Sequence, residues 1–308
     1  DGIRFDFTKG FTNNIFSNQV DSSRIQVLQR MVNSIWNIDT NFYVIIEHWA
    51  SNAEEKILAD YGVLLWGNVT HQFQESAMGY HSNSDLTWGL AAARGWNQNN
   101  LITYMESHDE ERIAYKIKQY GNNSNSLYDI RSDSLRLERV LANSAIFYTS
   151  PGPKMLYMFS ELGYDESIND PCRVCEKSIN WHYNEDENRK RLYHYTSSLI
   201  DLRNSYDIFN SPNISHDLDE PIKQISSNLP DSNFFVIANL GVTLDSVSVN
   251  LSHTGWWYNY FSLDSIYFGT NTSEKLLPGE WAIYTDFKAK QPKYFNRING
   301  IPPPPPAN

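Results

Sequence analysis

The chain has 308 residues, of which 41% are hydrophobic and 20% are charged. This composition supplies a sizeable apolar core and excludes an intrinsically disordered protein. The net charge of −11 argues against a nucleic-acid partner, because binding to a phosphate backbone needs a basic surface. No apolar run approaches the roughly 20 residues that cross a bilayer, so the sequence predicts no membrane partner.

Short apolar strands alternate with amphipathic helices up to about residue 206. This alternation predicts parallel βα units, arranged in a barrel or in a doubly wound sheet. The predicted strands are Ile3–Phe7, Phe42–Glu47, Val63–Trp66, Leu101–Glu106 and Lys154–Phe159. The predicted helices are Ser22–Ile38, Ala53–Tyr61, His71–Met78, Ser132–Phe147 and Arg189–Arg203.

The pattern of apolar and turn-forming residues changes near residue 207, where helical periodicity is replaced by short predicted strands and turns. We expect an antiparallel β domain over residues 207–287. Residues 288–308 have no periodicity and end in the proline run Pro302–Pro306, which is typical of a stiff linker or a disordered tail. The predicted strands of the β domain are Phe234–Leu240, Ser246–Leu251, Trp256–Phe261, Ser265–Phe268 and Trp281–Asp286.

Two charged side chains share one face of the first predicted strand. Arg4 and Asp6 are two residues apart, and side chains alternate across a strand. An arginine beside a carboxylate keeps it ionised and oriented, which suits a nucleophile. A buried ion pair that closes a barrel layer is the alternative interpretation.

Acidic side chains also follow two later strands. Glu47 ends the apolar run of the second strand. Burying a carboxylate there costs free energy, which favours a functional role for this residue. His108 and Asp109 come just after the strand Leu101–Glu106. Polar groups at the carboxyl ends of parallel strands line active sites, and a pair of carboxylates is the apparatus of glycoside hydrolysis. A solvated Glu47 and a helix-capping Asp109 are the alternatives.

These residues resemble the conserved regions of the α-amylase family, glycoside hydrolase family 13. Several short motifs carry the resemblance, and they follow the order of that family over about residues 1–287. They are Gly-Ile-Arg-Phe-Asp-Phe-Thr-Lys at 2–9, Ile-Ile-Glu at 45–47, Ser-His-Asp at 107–109, Pro-Gly-Pro-Lys-Met at 151–155 with Ser-Glu-Leu-Gly at 160–163, Lys-Ser-Ile-Asn-Trp at 177–181 with Leu-Arg at 202–203, and Leu-Pro-Gly-Glu-Trp at 277–281.

The resemblance implies an α/β fold: a partial (β/α)8 barrel, comprising strands 4–8 with their helices over residues 1–206, followed by an antiparallel β-sandwich. It implies a retaining α-glycosidase that hydrolyses α-1,4-glucosidic bonds in starch or related glucans, secreted or at the cell surface and monomeric when full-length. The implied catalytic residues are Asp6 as nucleophile, Glu47 as general acid/base and Asp109 as transition-state stabiliser. Arg4, His108 and Lys9 are the implied substrate-binding residues.

Aromatic residues near the predicted loop ends are further candidates for contact with sugar rings. Trp49, Trp66 and Tyr80 could each stack on a glucose face, and packing in the core is the alternative for each. The Cys172–Cys175 pair has the spacing of a local disulfide, with two free thiols as the alternative.

The sequence departs from the family pattern in two respects. Gly10 stands where many members have a His whose backbone helps to bind calcium, so the calcium that the family implies has an incomplete site here. The motif of the third barrel strand is also missing, so we expect the C-terminal portion of a longer protein, inactive and aggregation-prone in isolation.

Two other functions compete with the glycosidase hypothesis. The first is a non-catalytic glucan-binding relative or an inactive fragment, which the missing half of the barrel suggests. The second is a metal-dependent barrel hydrolase that uses His48, His108 and Asp109.

Overall fold

The computed structural model describes residues 1–295, so the predicted proline run Pro302–Pro306 lies outside the described residues. The helices are α1 Ser22–Trp36, α2 Asn52–Tyr61, α3 Thr70–Met78, α4 Ile113–Tyr120, α5 Asp133–Thr149 and α6 Glu187–Ser205. The strands are β1 Gly2–Phe5, β2 Tyr43–Ile46, β3 Leu64–Asn68, β4 Leu101–Tyr104, β5 Ile214–Asp217, β6 Ile222–Ser227, β7 Phe234–Asn239, β8 Asp245–Ser248, β9 Gly255–Asn259, β10 Ser265–Phe268, β11 Ser273–Leu276 and β12 Trp281–Thr285.

The chain divides into two compact units. The first consists of Asp1–Asn68, Trp88–Thr103 and Pro151–Met155, and the second of Val69–Thr87, Tyr104–Ser150 and the chain from Leu156 onward. Both units are discontinuous in sequence, whereas the expected domains are continuous. The boundaries at residues 206 and 287 therefore stay predictions.

The first unit is built on a four-stranded sheet in the order β1-β2-β3-β4. β1 pairs in parallel with β2, which places Phe5 opposite Ile46, and β2 pairs in parallel with β3. This order agrees with the predicted βα units, and the partial barrel itself stays a prediction. The predicted strand Lys154–Phe159 is wrong: within these residues the pairing with β4 is limited to one parallel bridge, between Thr103 and Lys154.

Local sequence signals set the ends of the two helices in this unit. Asp21 caps α1 by accepting hydrogen bonds from the N–H groups of the first turn, and Ser51 does the same for α2. Gly62 ends α2 at a φ of 111°, a conformation that favours glycine. The apolar faces of α1 and α2 pack with the sheet in one core: Ile25, Leu28, Val32, Val44, Ile46, Leu58, Ala59, Val63, Leu65, Ala91, Trp96 and Leu101.

The second unit contains the predicted antiparallel β domain. Six strands form a sheet in the order β10-β9-β12-β7-β6-β5, and β8 pairs with β11 in a second, two-stranded sheet. Side chains from both sheets share one apolar cluster that includes Phe235, Trp257 and Leu276. Helices α5 and α6 belong to the same unit, which also holds α4, a helix that the sequence did not predict. Within residues 1–295, no helix is long and apolar enough to cross a membrane.

Candidate active site

The carboxyl ends of β1 and β2 bring together three of the side chains singled out in the sequence. Arg4 lies in β1, Asp6 follows β1 directly, and Glu47 follows β2 directly. Because Phe5 and Ile46 are register partners in a parallel pair, the chain leaves both strands at the same edge of the sheet. Asp6 and Glu47 therefore lie side by side.

Arg4 binds both carboxylates through one atom. Its Nη2 lies 2.9 Å from Oδ1 of Asp6, and it also forms an ion pair with Oε2 of Glu47. The Cζ of the guanidinium lies over the ring of Trp66, 3.9 Å from its centroid, and Trp66 is buried. Packing and charge together fix the arginine between the two acids.

The two carboxylates have different surroundings. The side chain of Glu47 is buried, whereas that of Asp6 is 77% exposed. One acid is therefore shielded from water and its neighbour meets solvent. Glycosidases use such an unequal pair, because the two carboxyl groups must perform different tasks.

Thr8 ties together the loops that carry Asp6 and Glu47. Its backbone N–H donates to the carbonyl of Glu47 at 2.7 Å, and its hydroxyl donates to the same carbonyl at 3.1 Å. Farther back, the N–H of Glu47 donates to the carbonyl of Phe5 at 3.0 Å. The sheet hydrogen bonding thus continues past the strand ends and fixes the spacing of the two loops.

A buried polar network lies behind these loops. The ring of His48 is held between the Thr8 hydroxyl, 2.7 Å from Nδ1, and Oε1 of Glu54, 2.9 Å from Nε2. Arg24 donates to both oxygens of Glu54, at 2.7 and 2.8 Å, and its Nη1 donates to the carbonyl of Lys9 at 3.0 Å. Both ring nitrogens of His48 are engaged by protein groups, so the network does not place His48 as a metal ligand.

Burial and charge act in opposite directions on the pKa values of this network. Burial lowers the pKa of His48, and the neighbouring carboxylate of Glu54 offsets only part of that effect. For Glu54, burial favours the neutral acid, but hydrogen bonds from Arg24, the Asp21 backbone and His48 prevail and lower its pKa. The network therefore favours an ionised Glu54 facing a His48 that resists protonation.

Trp49 continues the loop after β2 in a left-handed conformation with a φ of 50°, and its side chain is exposed. The backbone N–H groups of Trp49 and Ala50 act on the carboxylate of Glu55 and favour its ionised form. Arg94 lies 3.2 Å from the same carboxylate. Burial raises the pKa of Glu55 to about 7 despite this arginine.

His108 and Asp109 form a second group of candidate residues. Nε2 of His108 lies 3.1 Å from Oδ2 of Asp109. Arg173 donates to the carbonyl of Asp109 at 2.8 Å and to its Oδ1 at 3.3 Å. The N–H of Asp109 donates to the hydroxyl of Ser107 at 3.1 Å, which holds the turn that presents the carboxylate.

The comparisons with known proteins concern the fold. No protein-family model matches the sequence, and no curated protein matches it either. Solved structures do match. An Anoxybacillus α-amylase superposes with a TM-score of 0.62 at 13% identity, over 92% of this chain and 58% of that one. A pullulanase from Bacillus acidopullulyticus gives a TM-score of 0.65 at 16% identity, over 93% and 38%. An α-amylase from Geobacillus thermoleovorans, complexed with acarbose, gives 0.58 at 12% identity, over 83% and 56%.

The fold is an α-amylase-type fold. The identities are too low to establish more than that, and the chain spans 38–58% of the length of these solved structures. The α-amylase-type fold agrees with the expected α/β architecture and its sheet domains.

Within residues 1–295, no group of three or more His, Cys, Asp or Glu side chains is placed to hold a metal ion. Gly10 brings no side-chain ligand of its own to the loop after β1.

Three functional contacts escaped the sequence reasoning. Glu54 and Glu55 lie in the first turn of α2, and Arg173 lies between the two cysteines; none of the three is singled out in the sequence analysis. A pair of adjacent acids just after a candidate catalytic loop is the signal that could have found the first two. Arg173 carries no comparable signal, because its partner Asp109 is distant in sequence.

Proposed function

We propose that this chain carries the nucleophile and the general acid/base of a retaining α-glycosidase that hydrolyses α-1,4-glucosidic bonds in starch or related glucans. The observation that carries the proposal is the placement of Asp6 and Glu47 around one nitrogen of Arg4. Two carboxylates that share one guanidinium nitrogen lie close together, which supports the separation of about 5–5.5 Å used in retaining enzymes over the about 6.5–9.5 Å used in inverting ones.

The proposed reaction has two steps. Asp6 is the more exposed acid and attacks the anomeric carbon, while Glu47 gives a proton to the leaving oxygen. Glu47 then takes a proton from water, and that water displaces the sugar from Asp6. Arg4 orients both acids and balances the charge of Asp6 before attack.

The remaining predicted site residues act on the substrate. Asp109 binds sugar hydroxyls more tightly in the transition state than in the ground state, and such differential binding lowers the barrier. His108 bonds the sugar in the subsite where cleavage occurs, and Lys9 contributes to the adjoining acceptor subsite. The exposed Trp49 offers a ring face for stacking.

The partner follows from the same proposal. Acarbose is bound in the Geobacillus α-amylase structure, and maltose in a Bacillus subtilis pullulanase structure of the same fold. An α-glucan oligosaccharide or polysaccharide is therefore the proposed ligand, and a protein secreted or displayed at the cell surface is the proposed setting. The proposed full-length protein is a monomer.

The test uses protein that contains this chain, assayed for reducing sugar released from soluble starch. Asp6→Asn and Glu47→Gln should each abolish release, and the exposed-site control Glu176→Gln should leave it unchanged. The first anomer released by the unaltered protein should retain the α configuration, as observed by NMR. Substantial activity in either carboxylate variant would refute the assigned roles.

Binding without cleavage is the second candidate function. One observation favours it: Arg4 contacts an oxygen of each proposed catalytic acid, so in this arrangement neither oxygen is ready for chemistry. Titration calorimetry with acarbose, together with a starch assay on the same sample, separates the two functions. Tight binding without sugar release supports a binding protein, and sugar release excludes it.

A further inference from the structure

The Cys172–Cys175 motif forms a small covalent loop. The two sulfur atoms are joined in a disulfide, and the N–H of Cys175 donates to the carbonyl of Cys172 at 3.2 Å. Between them stand Arg173 and Val174, and Val174 is 93% exposed. The loop thus presents one side chain, Arg173, to a partner elsewhere in the unit.

That partner is Asp109, which Arg173 contacts at two atoms. The guanidinium donates to the backbone carbonyl at 2.8 Å and lies 3.3 Å from Oδ1. His108 lies against the other carboxylate oxygen, Oδ2. The rotation of the Asp109 side chain is therefore restrained on both sides, and Arg173 also restrains its backbone.

The base of the loop is anchored independently of the disulfide. Glu111 accepts hydrogen bonds from the hydroxyl of Ser167 at 2.7 Å and from the N–H of Ile168 at 2.9 Å. The ammonium of Lys177 donates to the carbonyl of Cys172 at 2.6 Å and to that of Ile168. The base is held by charge-assisted bonds, while the tip that carries Arg173 is closed by the sulfur–sulfur bond.

We propose that Arg173 is a positioning residue for Asp109 and that the Cys172–Cys175 disulfide keeps it in reach, which makes turnover sensitive to reduction. The part concerning turnover rests on the proposed glycosidase function. Arg173 orients the carboxylate toward the sugar hydroxyls before the substrate arrives. Without it the carboxylate samples other rotamers, and small losses of alignment are costly in rate.

The redox step is an exchange with a dithiol. A reductant such as dithiothreitol gives two electrons and two protons to the protein. The sulfur–sulfur bond breaks, Cys172 and Cys175 become thiols, and the reagent closes to its own cyclic disulfide. The covalent restraint on the tip is then lost, and only the hydrogen bonds to the Cys172 carbonyl hold the chain that carries Arg173 near Asp109.

Kinetics on soluble starch test the positioning role. Arg173→Ala should lower kcat by about 10- to 100-fold with little change in KM, Arg173→Lys should recover part of the loss, and the same-loop control Val174→Ala should behave as the unaltered protein. Dithiothreitol, or the Cys172→Ser/Cys175→Ser double variant, should reproduce the loss and add nothing to Arg173→Ala. Equal kcat for Arg173→Ala and Val174→Ala would overturn the role.

Hydrogen exchange separates this inference from the proposed function, because it needs no catalysis. Arg173→Ala and reduction should each speed amide exchange over residues 107–111, while Val174→Ala should leave it unchanged. Unchanged exchange on loss of Arg173 would overturn the inference whether or not the protein is active. The unaltered protein could also fail to hydrolyse starch while Arg173→Ala still speeds the exchange. That result would refute the proposed glycosidase and the effect on turnover, and would support only the positioning of Asp109 by Arg173.

Discussion

Nε2 of His48 lies 2.9 Å from Oε1 of Glu54, and both side chains are fully buried. The stability of the fold depends on such a buried ion pair staying complete. Removing one of the paired charges leaves the other buried without compensation. Glu54 has Arg24 as a second partner, also without solvent exposure. The first prediction concerns this carboxylate.

Glu54→Gln should lower the free energy of unfolding by about 3–5 kcal/mol, because the buried Arg24 then keeps only its longer ion pair with Asp21, at 3.7 Å. The matched control lies on the same helix. Asp60→Asn removes the exposed Lys56–Asp60 pair and should change stability by less than about 1 kcal/mol. Urea unfolding of both variants checks the prediction, and equal effects would contradict it.

A second prediction concerns Arg4. Arg4→Ala leaves the buried oxygen of Glu47 without its cation, so we expect a loss of about 1–3 kcal/mol in unfolding free energy. The double variant with Glu47→Gln should lose less than the single variant, because the uncompensated charge is gone. Denaturant melts of the single and double variants measure this difference. Additive losses would show that the two side chains are not coupled.

A third prediction is a dependence of stability on pH. The pKa of Glu55 is raised by burial to about 7 in the folded protein, above the value near 4.3 of an exposed glutamate. The folded state therefore binds this proton more tightly than the unfolded state. The resulting contribution to stability is full below about pH 4.3 and is lost as the pH rises through 7.

Glu55→Gln should remove that contribution to the pH dependence. The difference in unfolding midpoint between the unaltered protein and Glu55→Gln should change between about pH 4.3 and 7, and Glu176→Gln, at an exposed position, should show no such change. A midpoint difference that is constant over the range would mean that Glu55 titrates as an ordinary carboxyl group.

A fourth prediction compares two glycines in the left-handed conformation. Gly79 and Gly95 have φ values of 78° and 73°. A Cβ on Gly79 would lie 2.6 Å from Cγ1 of Val242, whereas a Cβ on Gly95 would meet nothing within 4 Å. Gly95→Ala should cost about 1–2 kcal/mol for the backbone alone, and Gly79→Ala about 1–3 kcal/mol more for the clash. Thermal melts of the two variants check this prediction. Equal losses of stability in Gly79→Ala and Gly95→Ala would contradict it.

The periodicity of the sequence predicted the elements whose apolar residues follow a regular spacing. Helix α1 was predicted from the spacing of Ile25, Leu28, Val32 and Ile35; the first three are buried in the core, and Ile35 is partly buried against it. Strand β6 was missed because it reads Ile-Lys-Gln-Ile-Ser-Ser, although all six residues are buried. Lys223 is tolerated there because its ammonium donates to the carbonyl of Leu218 at 2.7 Å, a contact across the turn before the strand that strand periodicity does not reveal.

The sequence predicted the residues of the candidate site that stand at strand ends, but not the contacts made by the loop behind them. Arg4, Asp6 and Glu47 stand at strand ends, so the parallel topology alone brought them together. The contacts of His48 with Thr8 and Glu54 depend on how a loop turns after its strand. The sequence carries no periodic signal for that turn.

Glu54 and Glu55 are adjacent on α2, yet they bind different parts of the loop before it: the ring of His48 and the backbone of Trp49. Successive residues of an α-helix are about 100° apart around its axis. Inserting or deleting one residue between positions 49 and 51 would rotate both carboxylates away from their partners. The connection from β2 to α2 therefore has a fixed length, and natural variants of this protein should tolerate substitutions there far better than changes in loop length.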